Sequence, residues 1–391
     1  MIKTKLPVKD SFVLEFKRYG DSRGYFNELF NSEKYDEKVS NKSWKQVSFS
    51  NSCNNVIRGL HCSPYGKFIT CTNGSFYDVI ADLRPESSTY GRWCKILLTS
   101  KNCRQVYVPP HCGHGFCTME DDTSALYLQE GCFDPSKEND THPMDPFINV
   151  QWPIKKNVTL SEKDKNAKTI EQKTGILSLP RQRYLIIGAN GQIGNALMEC
   201  LGKHNCVGTS SKIDTEYMTY DIQKSLEEGY TEFLFDCIQP THVFICTGFT
   251  WVDGCETDVE KCTIMNHTGP LHVCKIAQKY DCKPIWFSTD YVFDGKHGPY
   301  EETDEPKPLN VYGNSKWEGE KNILAFVPEA LVVRTNMVYG PDKESKNFVC
   351  QIVSGKLSCI PDDQFGTPVY SKDIASACSK LVNLNTSGIV H

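Results

Sequence analysis

Tyr312 and Lys316 are four residues apart in a segment with helical character, so their side chains share one helical face. A phenol next to an ammonium can give its proton to a carbonyl oxygen as hydride arrives, and Thr289, at the end of a predicted strand, can hold the same oxygen. This spacing also occurs by chance on surface helices. The pair gains its meaning from the Ser288-Thr289-Asp290 strand end and from a glycine-rich turn earlier in the chain.

That turn lies between Arg183 and Gly194, and the segment predicts a strand, a tight turn and a helix. Gly188 and Gly191 would let the backbone approach a pyrophosphate, and Gly194 would let the helix pack against the strand. A glycine-rich turn without a nucleotide is the alternative. The Tyr312–Lys316 pair later in the chain favours a turn that binds a nucleotide over one that does not.

Composition limits the classes of function. The 391 residues, 39% hydrophobic and 23% charged, predict a soluble protein of two domains. A net charge of −5 argues against partners such as nucleic acid or a membrane surface. With no signal peptide and no spanning segment in the sequence, we expect a cytoplasmic protein. The nineteen cysteines form no C-x-x-C pair and are expected to be reduced and mostly buried, with Cys62 the thiol to watch for oxidation.

The two halves differ in pattern. Residues 1–170 contain many short β-rich runs between turn signals, which predict an all-β sandwich, jelly roll or barrel. Residues 182–391 alternate strands with helices, which predicts a doubly wound parallel sheet. We place a linker at 171–181.

Polar residues between the predicted strands of the first half suggest one polar interior: Arg23, Arg58, His61, Lys67, His114 and Tyr127. For all of them except Lys67 the sequence leaves an alternative role open. The histidines could bind a metal, but a cupin-type metal site uses a close H-x-H pair, which this stretch lacks, so no metal is expected. The arginines could pair with Glu28 or Asp82, and the tyrosine could belong to the core.

Taken together and in order, these segments resemble the dTDP-4-dehydrorhamnose 3,5-epimerase family, a cupin-type jelly roll, over residues 3–170. The motifs that carry the resemblance are Asp21-x-Arg23-Gly24-x-Phe26-x-Glu28, Arg58-Gly59-Leu60-His61, Gly66-Lys67, His114-Gly115-Phe116, Trp152-Pro153 and Leu160-Ser161-x-x-Asp164.

The resemblance implies that His61 removes the protons at C3 and C5 of a 4-keto sugar and that Asp164 orients His61 and favours its charged form. It also implies that Tyr127 is the acid on the opposite face of the sugar. Lys67 can supply the charge that an enolate oxygen needs. Substrate contacts are implied for Arg23 and Arg58 at the diphosphate, for Gln46 and Glu28 near the base, and for His114 and Phe133. Val47, Ser48 and Phe133 depart from the family pattern, which leaves open a dTDP or a UDP sugar.

The second half resembles the extended short-chain dehydrogenases, and specifically the dTDP-4-dehydrorhamnose reductases, over residues 183–391. The motifs are Ser288-Thr289-Asp290-Tyr291-Val292-Phe293, Pro308-Leu309-Asn310-Val311-Tyr312-Gly313-x-x-Lys316 and Asp363-Gln364-Phe365-Gly366-x-Pro368. The resemblance implies that Thr289, Tyr312 and Lys316 are catalytic, and that the substrate side includes Val252, Asp253 and Arg334. The cofactor side would comprise Gly188, Gly191, Gln192, Ile193, Gly194, Asp221, Asn266, Tyr312 and Lys316.

The second predicted strand ends in Ser210-Ser211-Lys212, with no acidic residue to bind a ribose 2′-hydroxyl. Small hydroxyls and a lysine favour a 2′-phosphate, so NADPH is expected as the cofactor, with NADH as the alternative.

The sequence therefore predicts a bifunctional enzyme that epimerises a nucleotide 4-dehydro-6-deoxyglucose at C3 and C5 and then reduces C4. The alternative is an active epimerase fused to a non-catalytic NADP-binding regulatory module. Family reductases continue beyond the point that matches residue 391, so we expect the C-terminal substrate lobe to be absent and reduction to be slow. We also expect a homodimer formed through the epimerase domain.

Overall fold

The computed structural model describes residues 2–39, 43–154, 156–175, 182–212, 216–341, 347–355 and 366–391. They form two compact units, the first covering the chain to residue 181 and the second almost all of the rest. The motif residues Asp363, Gln364 and Phe365 lie outside the described residues.

The first unit is built mainly of short strands. Its strands are β1 (Ile2–Lys5), β2 (Phe12–Glu15), β3 (Tyr19–Asp21), β4 (Gly24–Phe26), β5 (Gln46–Ser52), β6 (Ile57–Cys62), β7 (Lys67–Asn73), β8 (Ser75–Asp82), β9 (Trp93–Thr99), β10 (Arg104–Val108), β11 (Cys112–Thr118) and β12 (Thr123–Gln129). Its helices are α1 (Ser32–Val39), α2 (Glu162–Lys165) and α3 (Ile170–Thr174).

Two antiparallel sheets make up this unit, one in the order β1-β2-β10-β7-β12-β5 and one in the order β6-β11-β8-β9. Strands β3 and β4 form a separate hairpin. The sequence interpretation placed Arg58, His61 and His114 between strands, and this was wrong, because they lie on β6 and β11. Their glycine-rich, polar segments lack the apolar alternation that predicts a strand, yet β6, β11 and β8 are neighbours in one sheet.

The second unit alternates strands and helices. Its strands are β13 (Tyr184–Ile187), β14 (Cys206–Ser210), β15 (Met218–Thr219), β16 (His242–Ile245), β17 (Lys283–Thr289), β18 (Leu331–Thr335), β19 (Val338–Tyr339), β20 (Val369–Tyr370) and β21 (Gly388–Val390). Its helices are α4 (Gln192–Cys200), α5 (Tyr230–Ile238), α6 (Val252–Thr257), α7 (Val259–Thr263), α8 (Gly269–Lys279), α9 (Val311–Phe326), α10 (Phe348–Val353) and α11 (Ser371–Asn383).

Seven of these strands form one parallel sheet in the order β15-β14-β13-β16-β17-β18-β21. The order reverses direction between β13 and β16, and ligands of such sheets bind in the crevice beside the carboxyl ends of the strands at this point. All four residues of β13 are buried, as the apolar run predicted. The sheet therefore places the ends of β13, β14, β16 and β17 along one edge.

Within the described residues, no helix is long and apolar enough to cross a membrane. The eighteen cysteines in that part of the chain are free thiols.

Candidate active sites

His61 on β6 is held by a buried carboxylate. Its Nε2 lies 2.8 Å from Oδ1 of Asp164, and the His61 side chain is 30% exposed while that of Asp164 is 3% exposed. Because a carboxylate only accepts hydrogen bonds, Nε2 carries the proton and Nδ1 is left as the basic nitrogen. His61 is thus oriented by a buried anion and still open on one side.

Helix α2 supplies that carboxylate. Ser161 caps the helix, accepting a hydrogen bond from the Asp164 backbone N–H at 3.1 Å and donating its hydroxyl to Oδ2 of Asp164 at 2.9 Å. Burial opposes ionisation of Asp164, but the hydrogen bonds from His61 and Ser161 outweigh it and hold the pKa of the carboxyl below its usual value. Asp164 therefore stays anionic beside the imidazole of His61.

Lys67 and Tyr127 lie on the other sheet, on β7 and β12. Lys67 is 6% exposed, and burial lowers the pKa of its ammonium, opposed by charges that include Glu138 and Asp78. Its ammonium group has no hydrogen bond or ion pair with the residues described. The Tyr127 hydroxyl lies 3.2 Å from Oγ of Ser50, and burial raises the pKa of the phenol to about 12. The phenol is consequently protonated near neutral pH.

His114 connects the two sheets. It is the cross-strand partner of His61 in the β6–β11 ladder, and its ring lies 6.3 Å from the Tyr127 ring, edge to face. Its Nε2 lies 2.7 Å from Oδ1 of Asp78, and burial lowers the pKa of its imidazole. The structure thus brings His61, His114 and Tyr127 together. Asp78 was missed as a site residue, although a carboxylate inside the apolar run of β8 was a usable signal.

Arg58, Gln46 and Phe133 lie near β5. Arg58 donates to Oγ of Ser52 at 3.0 Å and to the Asn51 carbonyl at 3.2 Å. Oε1 of Gln46 accepts a hydrogen bond from the backbone N–H of Phe133 at 2.9 Å, and the Phe133 ring is 53% exposed. These contacts hold Arg58 and the exposed ring of Phe133 beside β5, the strand that carries Ser50.

Arg23 and Glu28 make contacts with residues close to them in the sequence. Arg23 lies in the β3–β4 hairpin, its side chain is 88% exposed, and it pairs with Asp21 at 2.6 Å. Glu28 pairs with Lys34 at 2.5 Å. Within the part of the chain that the structure describes, these contacts do not join Arg23 and Glu28 to the His61 group.

The glycine turn after β13 has the predicted backbone. Gly188 has φ 85°, and a Cβ on Gly194 would lie 2.2 Å from the Gly188 carbonyl oxygen. Gly191 caps α4 without a side-chain bond, so the first N–H groups of the helix stay available to a ligand. Ile193 packs against the hydrophobic core of the second unit.

Unpaired polar atoms line the same edge of the sheet. Of the buried side-chain atoms that lack a hydrogen-bond partner among the described residues, four lie here: Nε2 of Gln192, Oγ1 of Thr209, Oγ1 of Thr247 and Oγ of Ser288. They belong to the start of α4 and to the ends of β14, β16 and β17. Buried polar groups are normally paired, so this set fits a polar dinucleotide in the crevice.

β14 ends at Ser210, and Ser211 and Lys212 follow it. Ser210 is 1% exposed and its Oγ accepts a hydrogen bond from the Lys212 backbone N–H at 3.1 Å, while Ser211 and Lys212 are exposed. Asp221 follows β15 and accepts a hydrogen bond from Gln223 at 3.0 Å. The exposed hydroxyl and ammonium are the groups that could reach a 2′-phosphate.

Tyr312 and Lys316 lie in the first turns of α9, both buried. Burial raises the pKa of the Tyr312 phenol, and the neighbouring Thr289 side chain opposes that rise. Lys316 donates to the Phe287 carbonyl at 2.8 Å, and its ammonium lies 4.6 Å from the Trp286 ring centre. Burial lowers the pKa of Lys316 to about 8. The three predicted catalytic residues of this half are therefore brought together.

Asn266 clamps the loop after β16 to α9. It lies in a π-helical turn, Ile264–Thr268, and is fully buried. Its Oδ1 accepts from the Phe249 N–H at 2.8 Å, and its Nδ2 donates to the Phe249 carbonyl at 3.0 Å and to Oγ of Ser315 at 3.2 Å. Its amide is thus engaged within the protein.

The three predicted substrate residues of this half have different surroundings. Val252 packs beside Tyr312, and Asp253 is exposed at the start of α6. Arg334 is 6% exposed and makes two hydrogen bonds to Glu320, at 3.0 and 2.7 Å. Its charge is therefore already paired in the protein interior.

The residues described contain no group of three or more His, Cys, Asp or Glu arranged to hold a metal ion.

Comparison with known proteins gives the same division of the chain. The family model described as dTDP-4-dehydrorhamnose 3,5-epimerase matches residues 5–172, and the one described as RmlD substrate binding domain matches residues 182–391. The first half is 37% identical over 171 residues to the dTDP-4-dehydrorhamnose 3,5-epimerase of Shigella flexneri, covering 42% of this chain and 93% of that protein. The second half is 34% identical over 220 residues to the dTDP-4-dehydrorhamnose reductase of Mycobacterium tuberculosis, covering 54% of this chain and 68% of that protein.

The chain belongs to both of these families. A solved dTDP-4-dehydrorhamnose reductase from Bacillus anthracis, in complex with NADP, is 29% identical with a TM-score of 0.49, covering 54% of this chain and 74% of that one. Family membership confirms the two predicted resemblances and the predicted fold classes. Because an epimerase domain and a reductase domain lie on one chain, the bifunctional prediction is favoured over the fused regulatory module.

Proposed function

We propose that this chain converts a nucleoside-diphosphate-4-dehydro-6-deoxyglucose, with dTDP or UDP as the nucleotide, into the corresponding L-rhamnose nucleotide. Epimerisation at C3 and C5 precedes reduction at C4. The observation that carries this proposal is that each unit holds a separate set of acid–base residues. One unit has the His61–Asp164 pair with Lys67 and Tyr127, and the other has Thr289 at the end of β17 with Tyr312 and Lys316 at the start of α9.

In the first step, Nδ1 of His61 takes the proton from the carbon next to the ketone, and the Lys67 ammonium stabilises the negative charge on the enolate oxygen. Tyr127 then donates its proton to the opposite face of that carbon, which inverts the centre. His61 gains one proton and Tyr127 loses one, and the exchange with water that restores both groups allows the second centre to react.

In the second step, Tyr312 donates its proton to the C4 oxygen, while the Thr289 hydroxyl holds that oxygen in place. The Lys316 ammonium nearby favours the phenolate that remains. NADPH, when bound, supplies the hydride. The glycine turn would hold its pyrophosphate, and the unpaired hydroxyls of Thr209, Thr247 and Ser288 would pair with its polar groups.

We expect NADPH to bind more tightly than NADH because Ser211 and Lys212 can contact a 2′-phosphate. A charge-assisted hydrogen bond contributes about 1.5–3 kcal/mol, so the two dissociation constants should differ by about tenfold or more. Lys212→Ala should reduce the ratio of the two dissociation constants. Lys224→Ala, which replaces an exposed lysine on the following turn, should leave that ratio unchanged. Fluorescence titration with both cofactors measures the two dissociation constants. Equal dissociation constants for the parent chain would refute the preference for NADPH.

We propose that the chain is a homodimer through the epimerase domain. The β3–β4 hairpin exposes Tyr19, Tyr25 and Phe26 by 56–67%, and edge strand β5 exposes Val47 and Phe49 by 64% and 63%. Exposed apolar clusters and unpaired strand edges are typical of contacts between chains. A second copy packed here would cover both features.

This proposal predicts the mass of the particle in solution. The parent chain should be a dimer by light scattering, and the double substitution Val47→Glu with Phe49→Glu should shift it towards the monomer. Substitution of Leu384, which is 76% exposed in the other unit, by Glu should leave the dimer intact. A monomeric parent chain would refute the proposal.

The function is tested by incubating the full chain in deuterium oxide with dTDP- and UDP-4-dehydro-6-deoxyglucose, with and without NADPH. Without NADPH, deuterium should enter C3 and C5. With NADPH, a rhamnose nucleotide should form. No deuterium at either carbon with either nucleotide would refute the epimerase assignment, and a failure to consume NADPH would refute the reductase assignment.

A further inference from the structure

Trp286 on β17 lies against the ammonium group of Lys316. Its side chain is fully buried, and the Lys316 Nζ lies 4.6 Å from the centre of its ring. A cation is attracted to the face of an aromatic ring within roughly 6 Å of the ring centre, and tryptophan attracts it most strongly. The indole is therefore placed where it can stabilise the positive charge of Lys316.

Helix α9 approaches this ring closely. Gly319 lies three residues after Lys316, on the same face of the helix. A Cβ on Gly319 would lie 2.6 Å from the Cη2 atom of Trp286, so a larger residue would push the helix away from β17. The close approach fixes the indole against the helical turn that carries Lys316.

The indole N–H of Trp286 has no hydrogen-bond partner among the described residues. A buried donor without a partner costs free energy, and a phenylalanine at this position would avoid that cost. A hydrogen bond therefore does not explain the tryptophan. Its advantage over a phenylalanine is the larger aromatic face that it presents to Lys316.

The Lys316 ammonium makes one hydrogen bond within the part of the chain that the structure describes, to the Phe287 carbonyl, and forms no ion pair there. Burial lowers its pKa, and Glu320, one helical turn further on, opposes that fall. The Glu320 carboxylate, however, already accepts two hydrogen bonds from Arg334. A ring face stabilises a cation most where the cation is removed from water, as it is here. The other titratable groups around Lys316 are Tyr312 on α9, Cys255 on α6 and Cys262 on α7.

We propose that Trp286 is a positioning residue of the reductase site, whose ring face holds the Lys316 ammonium and keeps it charged to a higher pH than burial alone would allow. This inference rests on the proposed function, in which the charged lysine favours the Tyr312 phenolate. A lysine loses its charge as pH rises through its pKa. A weaker ring face should therefore move the loss of reduction to lower pH.

The test is the pH dependence of reduction by full-length chains with Trp286→Phe or Trp286→Met. Phenylalanine keeps a ring face that attracts a cation less strongly, and methionine keeps apolar bulk without such a face. NADPH oxidation is measured on both sides of the pKa of Lys316, with keto sugar that the Tyr312→Phe chain has epimerised beforehand. The matched control is Phe244→Leu, which removes a fully buried ring from the neighbouring strand β16, in the hydrophobic core that includes Leu197. Thermal unfolding and NADPH titration show which variants are folded.

The pH at which reduction has fallen by half should be about 8 in the parent chain. It should move to lower pH by about 0.5 units in Trp286→Phe and by about 1–1.5 units in Trp286→Met, and it should not move in Phe244→Leu. If Trp286→Met does not fold, Trp286→Phe decides alone. An unchanged or higher midpoint, or an equal fractional loss at every pH, would overturn the inference, because the ring would then serve packing only. If the parent chain oxidises no NADPH with the epimerised sugar, the proposed function itself fails, and the role of Trp286 with it.

Discussion

His61→Ala is expected to lower deuterium entry at C3 and C5 of the keto sugar by about 10²–10⁴-fold, the usual contribution of a positioned proton transfer. Both centres should be affected, because one open nitrogen serves as the base for each. Asp164→Asn should also slow exchange, since the amide cannot stabilise a protonated imidazole with a negative charge. The measurement is deuterium content by mass spectrometry and NMR with no NADPH present.

The matched control is His111→Asn. His111 is exposed and has φ 61°, a backbone conformation that asparagine tolerates, so the substitution removes an imidazole without disturbing the site. Exchange should continue at the parent rate in this variant. Exchange at the parent rate in His61→Ala would show that another group is the base.

Tyr312→Phe is expected to lower NADPH oxidation with the epimerised sugar by about 10²–10⁴-fold, because it removes only the proton donor for the C4 oxygen. Epimerisation should continue unchanged. The pKa of Lys316 is about 8, and a lysine loses its charge as pH rises through its pKa. The rate of reduction by the parent chain should therefore fall as pH rises above about 8, when the ammonium that favours the phenolate is lost.

Two substitutions serve as controls. Tyr370→Phe removes a hydroxyl from a half-buried tyrosine that packs on Tyr339 and should leave reduction intact. Lys321→Met removes an exposed lysine of α9, paired with Glu318, and should leave the pH profile unchanged. Brisk, saturable reduction by Tyr312→Phe would remove this residue from the mechanism.

The sequence predicted the reductase site more completely than the epimerase site. Thr289, Tyr312 and Lys316 come from a strand end and a single helical face, so local periodicity was enough to place them together. The pairing of Arg334 with Glu320 also involves one strand and one helix. A spacing of 14 residues does not indicate that two side chains are in contact, so the sequence did not predict this pair. A buried partner for a charge is decided by packing, which the local pattern does not contain.

The epimerase residues depend on contacts between distant strands. His61 and His114 are cross-strand partners on β6 and β11, and Tyr127 reaches them from the other sheet. Segments with glycine and charge do not follow the alternation that predicts strands, so these two strands were missed while the apolar β8 and β9 were found. Ser50, the partner of Tyr127, was missed because a serine in a polar strand has no distinctive signal.

The central claim is that one chain carries two independent catalytic sites for consecutive steps, and mixing two inactivated chains tests it most directly. His61→Ala should fail to make the rhamnose nucleotide because it cannot epimerise, and Tyr312→Phe should fail because it cannot reduce. An equimolar mixture of the two full-length chains, given the 4-dehydro-6-deoxyglucose nucleotide and NADPH, should restore product formation. If either variant alone makes the rhamnose nucleotide at the parent rate, or if the mixture makes none, the account is contradicted.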